Sequence, residues 1–214
     1  TLWDFDTVAT VNIGVQHYNL NHVGKVKTLM LMKQMQEINP RCTIKPISKR
    51  FGEQSYRWNY RPTIQNLNSY NIENSIYDNI ICFILIGVDS MSSREEIANR
   101  FSMDKYYSSY DRGYDRFDTY YIDARMGSET FQMDIFYIPK IERTDGMNDN
   151  AVETIAKERM EVFRSQYFET WYSDDDGDSE PCNSRSTNYC ASMSAAFINN
   201  QVRKIVDERS PINP

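Results

Sequence analysis

Residues 80–88 read I-I-C-F-I-L-I-G-V, an apolar run that only Gly87 interrupts. Several of its side chains are β-branched, and the run is too short for a typical buried helix. Runs of this kind are typical of central strands in parallel sheets, because such strands are covered on both faces. We therefore predict a central parallel strand here, flanked in the chain by helices.

The chain upstream of this strand predicts a strand, a helix and a second strand. Residues 2–5 are typical of the end of a strand, and residues 24–38 carry apolar side chains at the three- and four-residue spacing of an amphipathic helix. Asn39 and Pro40 end that helix, because proline cannot continue the hydrogen-bond ladder. Residues 43–47 then alternate as a strand does.

Downstream of the apolar run, helices and strands alternate again. Serines at 92–93 predict a capped helix start, and residues 119–124 and 130–138 predict a hairpin of aromatic-rich strands. Residues 152–168 and 190–206 predict two further helices. This order predicts an α/β fold: a Rossmann-like, mainly parallel sheet flanked by helices, with an antiparallel hairpin in the second half.

The length of 214 residues suits one sizeable domain, and a hydrophobic content of 40% excludes wholesale disorder. We predict a single domain over residues 1–214. Within it, residues 54–78 form an insert or long connection, and residues 173–181 form a flexible acidic loop.

Charge and cysteine usage exclude several classes of protein. The net charge is −6, whereas nucleic acids and anionic membranes select clustered Lys and Arg, so we expect neither as a partner. The longest apolar run is far shorter than the ~20 residues that span a bilayer. The chain opens without a signal-peptide pattern, and its four cysteines lack C-x-x-C spacing. We expect reduced thiols, no zinc and a cytoplasmic location.

Candidate chemistry lies where the predicted strands end, because open parallel sheets bind ligands beyond the carboxyl ends of their strands. Asp4 and Asp6 follow the first strand, and Asp89 follows the apolar strand. An aspartate fixed near the chain start suits ribose hydroxyls, and one after a buried strand suits Mg²⁺. The alternative is that these residues only cap the turn or helix that follows.

Five segments in a fixed order carry a family resemblance. They are D-F-D-T-V-A-T-V-N at 4–12, V-G-K-V-K at 23–27, I-N-P at 38–40, V-D-S-M-S-S-R at 88–94 and Y-I-D-A-R-M-G at 121–127. This order resembles the ThiF/MoeB/HesA family, the adenylating enzymes related to ubiquitin-activating enzymes. The resemblance covers about residues 2–138 and, weakly, 182–206.

The resemblance implies roles for five residues. Asp4 would accept hydrogen bonds from ribose hydroxyls, and Asn12 would face the nucleotide phosphates. Lys27 would neutralise the triphosphate during catalysis. Asp89 would be the magnesium ligand or its close neighbour, with a part in catalysis. Ser90 beside it, where the family usually has Asn, would belong to the nucleotide site.

Other positions match the family less closely. Gln16 matches the family Gln of the nucleotide-binding segment, and its role is left open. Cys182 and Cys190 lie where relatives carry either a thiol that accepts the activated acyl group or a zinc-binding pair. Arg185 stands at the second cysteine position of that pair, so we expect no zinc. An inert thiol is the alternative for both cysteines.

The function implied is that of an ATP- and Mg²⁺-dependent adenylyltransferase. Its substrate would be a carboxylate, typically the C-terminus of a small ubiquitin-like or sulfur-carrier protein, and the product an acyl-adenylate. The family also implies a homodimer.

Two features of the sequence depart from the family pattern. The first of them, together with the lost zinc-binding cysteine pair, favours an alternative function. Val15 replaces the family Arg, and no glycine-rich turn precedes Leu2. Because the sequence opens on Thr1, we expect it to be truncated at its N-terminus. The alternative is a catalytically impaired fold that serves as a protein-interaction module. A nicotinamide-dependent oxidoreductase is a third hypothesis, which Lys27 and Asp89 disfavour.

Overall fold

The computed structural model describes residues 1–13, 15–51, 81–107, 118–126, 131–142, 144–172 and 188–208. The predicted insert at 54–78, the acidic loop at 173–181 and Cys182 lie outside these ranges.

Residue contacts divide the chain into two compact units. The first unit comprises Thr1–Ser55, Met126–Thr130 and Glu180–Phe197. The second unit comprises Tyr56–Arg125, Phe131–Ser179 and Ile198–Pro214. The single domain over residues 1–214 stays a prediction.

The first unit contains a strand–helix–strand element. Strand β1 (Leu2–Trp3) pairs in parallel with β2 (Pro46–Ile47), with Leu2 opposite Pro46. Helix α1 (Lys27–Ile38) connects the two strands along the chain and packs against both. This is the predicted order of elements, although both strands are shorter than predicted.

Helix α1 begins three residues later than the predicted start at residue 24. Gly24 has φ +79°, a left-handed conformation that a helix does not contain and that glycine adopts without steric cost. At the other end, the helix stops at Ile38 with Asn39 as its C-cap, as predicted. Short 3₁₀ turns at Thr10–Asn12 and Leu20–His22 lie between β1 and α1.

The second unit contains a mixed three-stranded sheet in the order β3-β4-β5, in which β3 is parallel to β4. Its elements in chain order are β3 (Ile81–Ile86), α2 (Met91–Tyr107), β4 (Asp118–Met126), β5 (Phe131–Ile138) and α3 (Asp149–Glu169). The last helix, α4 (Asn188–Val206), contributes residues to both units. These elements confirm the predicted strands and helices, with small changes at their ends.

The position of β3 differs from the prediction of a central strand. In the part of the chain that the structure describes, β3 is an edge strand with β4 on one side. Leu85 is 57% exposed, so the prediction of cover on both faces is wrong for this side chain. An apolar run shows that a strand is hydrophobic, but it does not show how many strands adjoin it.

The core of the second unit lies between the sheet and helices α2 and α3. Phe101 of α2, Tyr121 of β4 and Phe163 of α3 are at most 3% exposed, and the ring centroids of Tyr121 and Phe163 are 4.9 Å apart. Ile86 and Ile138 extend this cluster along β3 and β5. The protein is therefore a mixed α/β structure. No helix within the described ranges is long and apolar enough to cross a bilayer.

Candidate functional site

The end of β1 carries the first predicted site residue, Asp4. The backbone N–H of Asp4 donates to the carbonyl of Ile47 on β2 at 3.2 Å. Its carboxylate oxygen Oδ1 accepts from the backbone N–H of Asp6 at 2.8 Å. This is the side-chain-to-backbone bond two residues on that aspartates make in turns, and it fixes the direction in which the chain leaves the strand.

Asp6 and Lys27 are joined twice, although they lie 21 residues apart in the chain. The Lys27 ammonium Nζ donates to Oδ2 of Asp6 at 3.0 Å, and the backbone N–H of Lys27 donates to the carbonyl oxygen of Asp6 at 3.0 Å. The Lys27 side chain is only 13% exposed, whereas that of Asp6 is 48% exposed. The segments D-F-D at 4–6 and G-K-V-K at 24–27, which belong to two of the family-like motifs, therefore meet in one place. The side chains of Asp4, Asp6 and Lys27 there are called the charged cluster below.

The start of α1 breaks the usual preferences of a helix N-terminus. Its N-cap is Val26, which has no side-chain acceptor, and its first turn contains a lysine and no acidic residue. A cation is unfavourable there, because the N-terminal end of a helix carries partial positive charge. Thr28 is 2% exposed, and its hydroxyl has no hydrogen-bond partner in the described ranges. Local rules are broken most often where function constrains the sequence.

Tyr18 lies beside the charged cluster and was missed by the sequence analysis. Its hydroxyl donates to the carbonyl oxygen of Lys27 at 3.5 Å. Burial, and to a smaller extent the negative charge of Asp4, raise the pKa of Tyr18, so the phenol stays neutral at physiological pH. In a chain with fifteen tyrosines, no sequence signal distinguishes this one.

A cavity of about 330 Å³ in the first unit adjoins this cluster through Tyr18, and Gln16 also lines it. Apolar and amide side chains, including Leu31 and Gln34, form another part of its wall. Asp4, Asp6 and Lys27 are not among the described residues that line this cavity.

Asn12 is held by local bonds. Its side-chain oxygen accepts from the N–H of Ala9 at 2.9 Å, and its carbonyl accepts from the N–H of Gln16 at 2.9 Å. The structure therefore gives Asn12 a role in shaping the turn that leads to Gln16.

Asp89 belongs to the second unit, where it follows β3 at the carboxyl end of the strand, and it is exposed. Ser90 is the N-cap of α2, because its hydroxyl accepts from the N–H of Ser93 at 3.2 Å. The serines at 92–93 were predicted to cap this helix, and the cap lies two residues earlier. Capping therefore occupies the Ser90 hydroxyl that was assigned to the nucleotide site.

A network of buried charged side chains contacts the loop that carries Asp89. Asp123 of β4 accepts from Nε of Arg94 at 3.0 Å, from Nε of Arg125 at 2.9 Å and from the hydroxyl of Tyr167 at 3.1 Å. The side chain of Asp123 is 0% exposed, and those of the two arginines are each 5% exposed. The sequence leaves two interpretations of Arg94 open, a residue that orients the loop after Asp89 and a member of a helix-surface ion pair. The burial of its side chain contradicts the second.

Arg94 also reaches the loop after β3. Its Nη1 donates to the carbonyl oxygen of Ser90 at 3.4 Å, and its Nη2 donates to the carbonyl of Ala124 at 3.1 Å. These contacts support the interpretation that Arg94 orients the loop carrying Asp89. No sequence signal identified Asp123 as its partner, because the two residues lie 29 positions apart.

The cysteines were candidates for a reactive thiol. Cys190 lies in the first turn of α4 and is 2% exposed, whereas reactive thiols are partly accessible. Cys42, Cys82 and Cys190 do not form disulfide bonds among the described residues. The burial of Cys190 favours the alternative of an inert thiol for this residue.

No group of three or more His, Cys, Asp or Glu side chains in the described ranges is arranged to hold a metal ion. A zinc site requires such a group, but Mg²⁺ bound with a nucleotide requires only one or two carboxylates besides phosphate oxygens. Asp89, an exposed residue in the loop after β3, is a carboxylate of that kind.

Comparison with protein-family models finds no match for this chain, and comparison with curated proteins finds none either. A function for the chain therefore depends on its residues and their geometry.

Proposed function

We propose that the chain is an ATP-dependent adenylyltransferase that activates a carboxylate as an acyl-adenylate, on a Rossmann-like sheet. The observation that carries this proposal is the double link between Asp6 and Lys27. It joins, at the end of a parallel strand and the start of a helix, the two motifs that resemble the ribose- and phosphate-binding segments of the ThiF/MoeB/HesA family.

The location of the cluster supports nucleotide binding. Asp4 follows the carboxyl end of β1, and Lys27 opens the helix that connects β1 to its parallel neighbour. Ligands of parallel α/β sheets bind at this edge, and phosphates bind at helix N-termini because backbone N–H groups and the helix dipole face them. The adjoining cavity, lined by Gln16 and Tyr18, offers room for the rest of a nucleotide.

The charges of the cluster indicate what must accompany the nucleotide. Asp4 and Asp6 carry two negative charges and Lys27 one positive charge, so the cluster alone has a net charge of −1. A triphosphate therefore needs further positive charge, which Mg²⁺ bound to the phosphate oxygens would supply.

The reaction is a nucleotidyl transfer. An oxygen of the substrate carboxylate attacks the α-phosphorus of ATP and forms a bond to it. The bond from that phosphorus to the bridging oxygen breaks, and pyrophosphate leaves with the electron pair. Lys27 stabilises the negative charge that gathers on the phosphate oxygens, and a charge fixed in advance needs no reorganisation during the reaction.

The substrate we propose is the C-terminal carboxylate of a small ubiquitin-like or sulfur-carrier protein, bound by a homodimer in the cytoplasm. These features come from the family resemblance, whose motifs include the cluster.

ATP–pyrophosphate exchange by the purified full-length protein tests the proposal, with a small ubiquitin-like protein that ends in a free C-terminal carboxylate present as the acyl substrate. Exchange requires this carboxylate, because it is the reverse of the adenylation step. We expect exchange in the wild type and a loss on the order of 100-fold in Lys27→Ala, since a pre-positioned charge is removed. Lys25→Ala is the matched control, because Lys25 lies two residues away and is exposed. Ordinary exchange by Lys27→Ala would contradict the role of Lys27.

The second candidate is a protein-interaction module that retains the fold. Val15 in place of the family Arg favours it, as do the exposed apolar side chains Leu20 and Ile38, which are 75% and 86% exposed. If this alternative holds, the wild type neither exchanges pyrophosphate nor binds ATP in a calorimetric titration.

A further inference from the structure

We infer that Asp6 is the positioning residue for Lys27, holding its ammonium in place for the nucleotide phosphates. This inference rests on the proposed function, because it concerns how the same site acts. Asp6 contacts Lys27 through both its carbonyl and its carboxylate, each at 3.0 Å.

The double contact restricts a side chain that is otherwise highly mobile. Lysine has a flexible four-carbon stem and loses considerable rotamer freedom when its ammonium is fixed. The carbonyl of Asp6 fixes the backbone where the stem begins, and the carboxylate fixes the ammonium at its end. The asymmetry in exposure, 13% for Lys27 and 48% for Asp6, leaves the ion pair open to solvent on the side of the carboxylate.

Folding stability does not account for this ion pair. Pairs with one exposed partner contribute little to stability, because solvent screens them. Lys27 also stands at the positive end of α1, where a cation is unfavourable and an acidic first-turn residue would be preferred. The chain therefore retains, at a position that disfavours a cation, a lysine together with its own counter-ion.

Loss of the negative charge of Asp6 should have different effects on ATP binding and on the rate of the chemical step. Asp6 brings a negative charge close to the place proposed for the phosphates, so its neutralisation should not weaken ATP binding and should tend to strengthen it. The same change frees the Lys27 ammonium, and a misplaced charge stabilises the transition state less. Loss of the carboxylate is therefore expected to lower kcat without raising the KM for ATP.

The experiment compares Asp6→Asn and Asp6→Glu with wild type in ATP–pyrophosphate exchange by the full-length protein, with the same carboxylate substrate present at a fixed, saturating concentration. We expect Asp6→Asn to lower kcat about tenfold or more, with a KM for ATP that is unchanged or lower. Asp6→Glu restores the charge and should recover part of kcat. Unfolding temperatures should remain within about 2 °C of wild type.

Glu96→Gln is the matched control, because Glu96 forms an exposed ion pair with Arg100 at 2.9 Å on α2. It should leave both kinetic constants unchanged. Three results would overturn the inference: a kcat of Asp6→Asn within twofold of wild type, a higher KM as the main effect, or no recovery in Asp6→Glu. Absence of exchange in the wild type would instead refute the proposed function, and the inference with it.

Discussion

Arg94 and Asp123 form a buried ion pair, with Nε of Arg94 at 3.0 Å from Oδ1 of Asp123 and side-chain exposures of 5% and 0%. The second oxygen of Asp123 accepts from Arg125, whose Nη2 lies 3.6 Å from Oδ2 of Asp134. Two arginines and two aspartates make the network neutral. Such a network is costly to disrupt, because removal of one partner leaves a buried charge without compensation.

Asp123→Asn is expected to destabilise the protein by about 3–5 kcal/mol, because both guanidinium groups lose their shared carboxylate. The free energy of unfolding in urea measures this effect. Glu96→Gln, which breaks an exposed pair, should cost at most about 1 kcal/mol. A cost of less than about 1 kcal/mol for Asp123→Asn would show that the charge of the carboxylate is not needed.

Arg125→Lys is expected to be destabilising by roughly 1–3 kcal/mol, although it conserves the charge. Besides its bond to Asp123, Arg125 donates from Nη1 to the carbonyl of Thr170 at 2.7 Å and from Nη2 to the hydroxyl of Thr170 at 2.9 Å. A lysine has one point of charge and cannot form this fork. Thermal unfolding checks the effect, and a transition unchanged from wild type would contradict it.

Two buried tyrosines predict a loss of stability in alkali. Burial is the largest cause that raises the pKa of Tyr121 and of Tyr167 above the ordinary value of 10.0, and both side chains are 0% exposed. The folded chain therefore keeps protons that the unfolded chain releases. This contribution to stability is fully present below pH 10 and is lost as the pH rises from there towards the folded pKa values.

Urea unfolding at a series of pH values up to strong alkali tests this prediction. The free energy of unfolding should fall with rising pH above 10 in the wild type, and the fall should be shallower in Tyr167→Phe. Equal slopes in the two proteins would show that Tyr167 ionises in the folded state as readily as in the unfolded one.

Thiol accessibility tests the role of Cys190. We expect Cys42, which is exposed, to react with a maleimide at least about tenfold faster than Cys190, since reaction at Cys190 requires local opening. Peptide mass spectrometry after timed quenching measures both rates. Rapid labelling of Cys190 in the native protein would reinstate it as a candidate acyl acceptor.

Periodicity in the sequence was sufficient to predict most of the helices and strands that the structure describes. The helix ending at Ile38 and the aromatic-rich strands β4 and β5 lie where the pattern indicates. The edge position of β3 was not predictable, because hydrophobicity reports burial of side chains and not the pairing of the backbone. Strand β2 is shorter than its alternating pattern suggests.

Only part of the candidate site could be predicted. Motif order led to Asp4 and Lys27, which the structure joins through Asp6. The counter-ion role of Asp6 and the contact of Tyr18 depend on pairings between distant positions, which a single sequence does not record. Asp123 was quoted within a motif, but its pairing with Arg94 is also of this kind.

The guanidinium of Arg94 holds the carbonyl of Ser90 and the carboxylate of Asp123 at the same time. The backbone next to Asp89 is thus braced against the end of strand β4. A ligand that binds Asp89 therefore contacts a loop that is already ordered. The entropy cost of ordering this loop belongs to folding and does not reduce the affinity for the ligand.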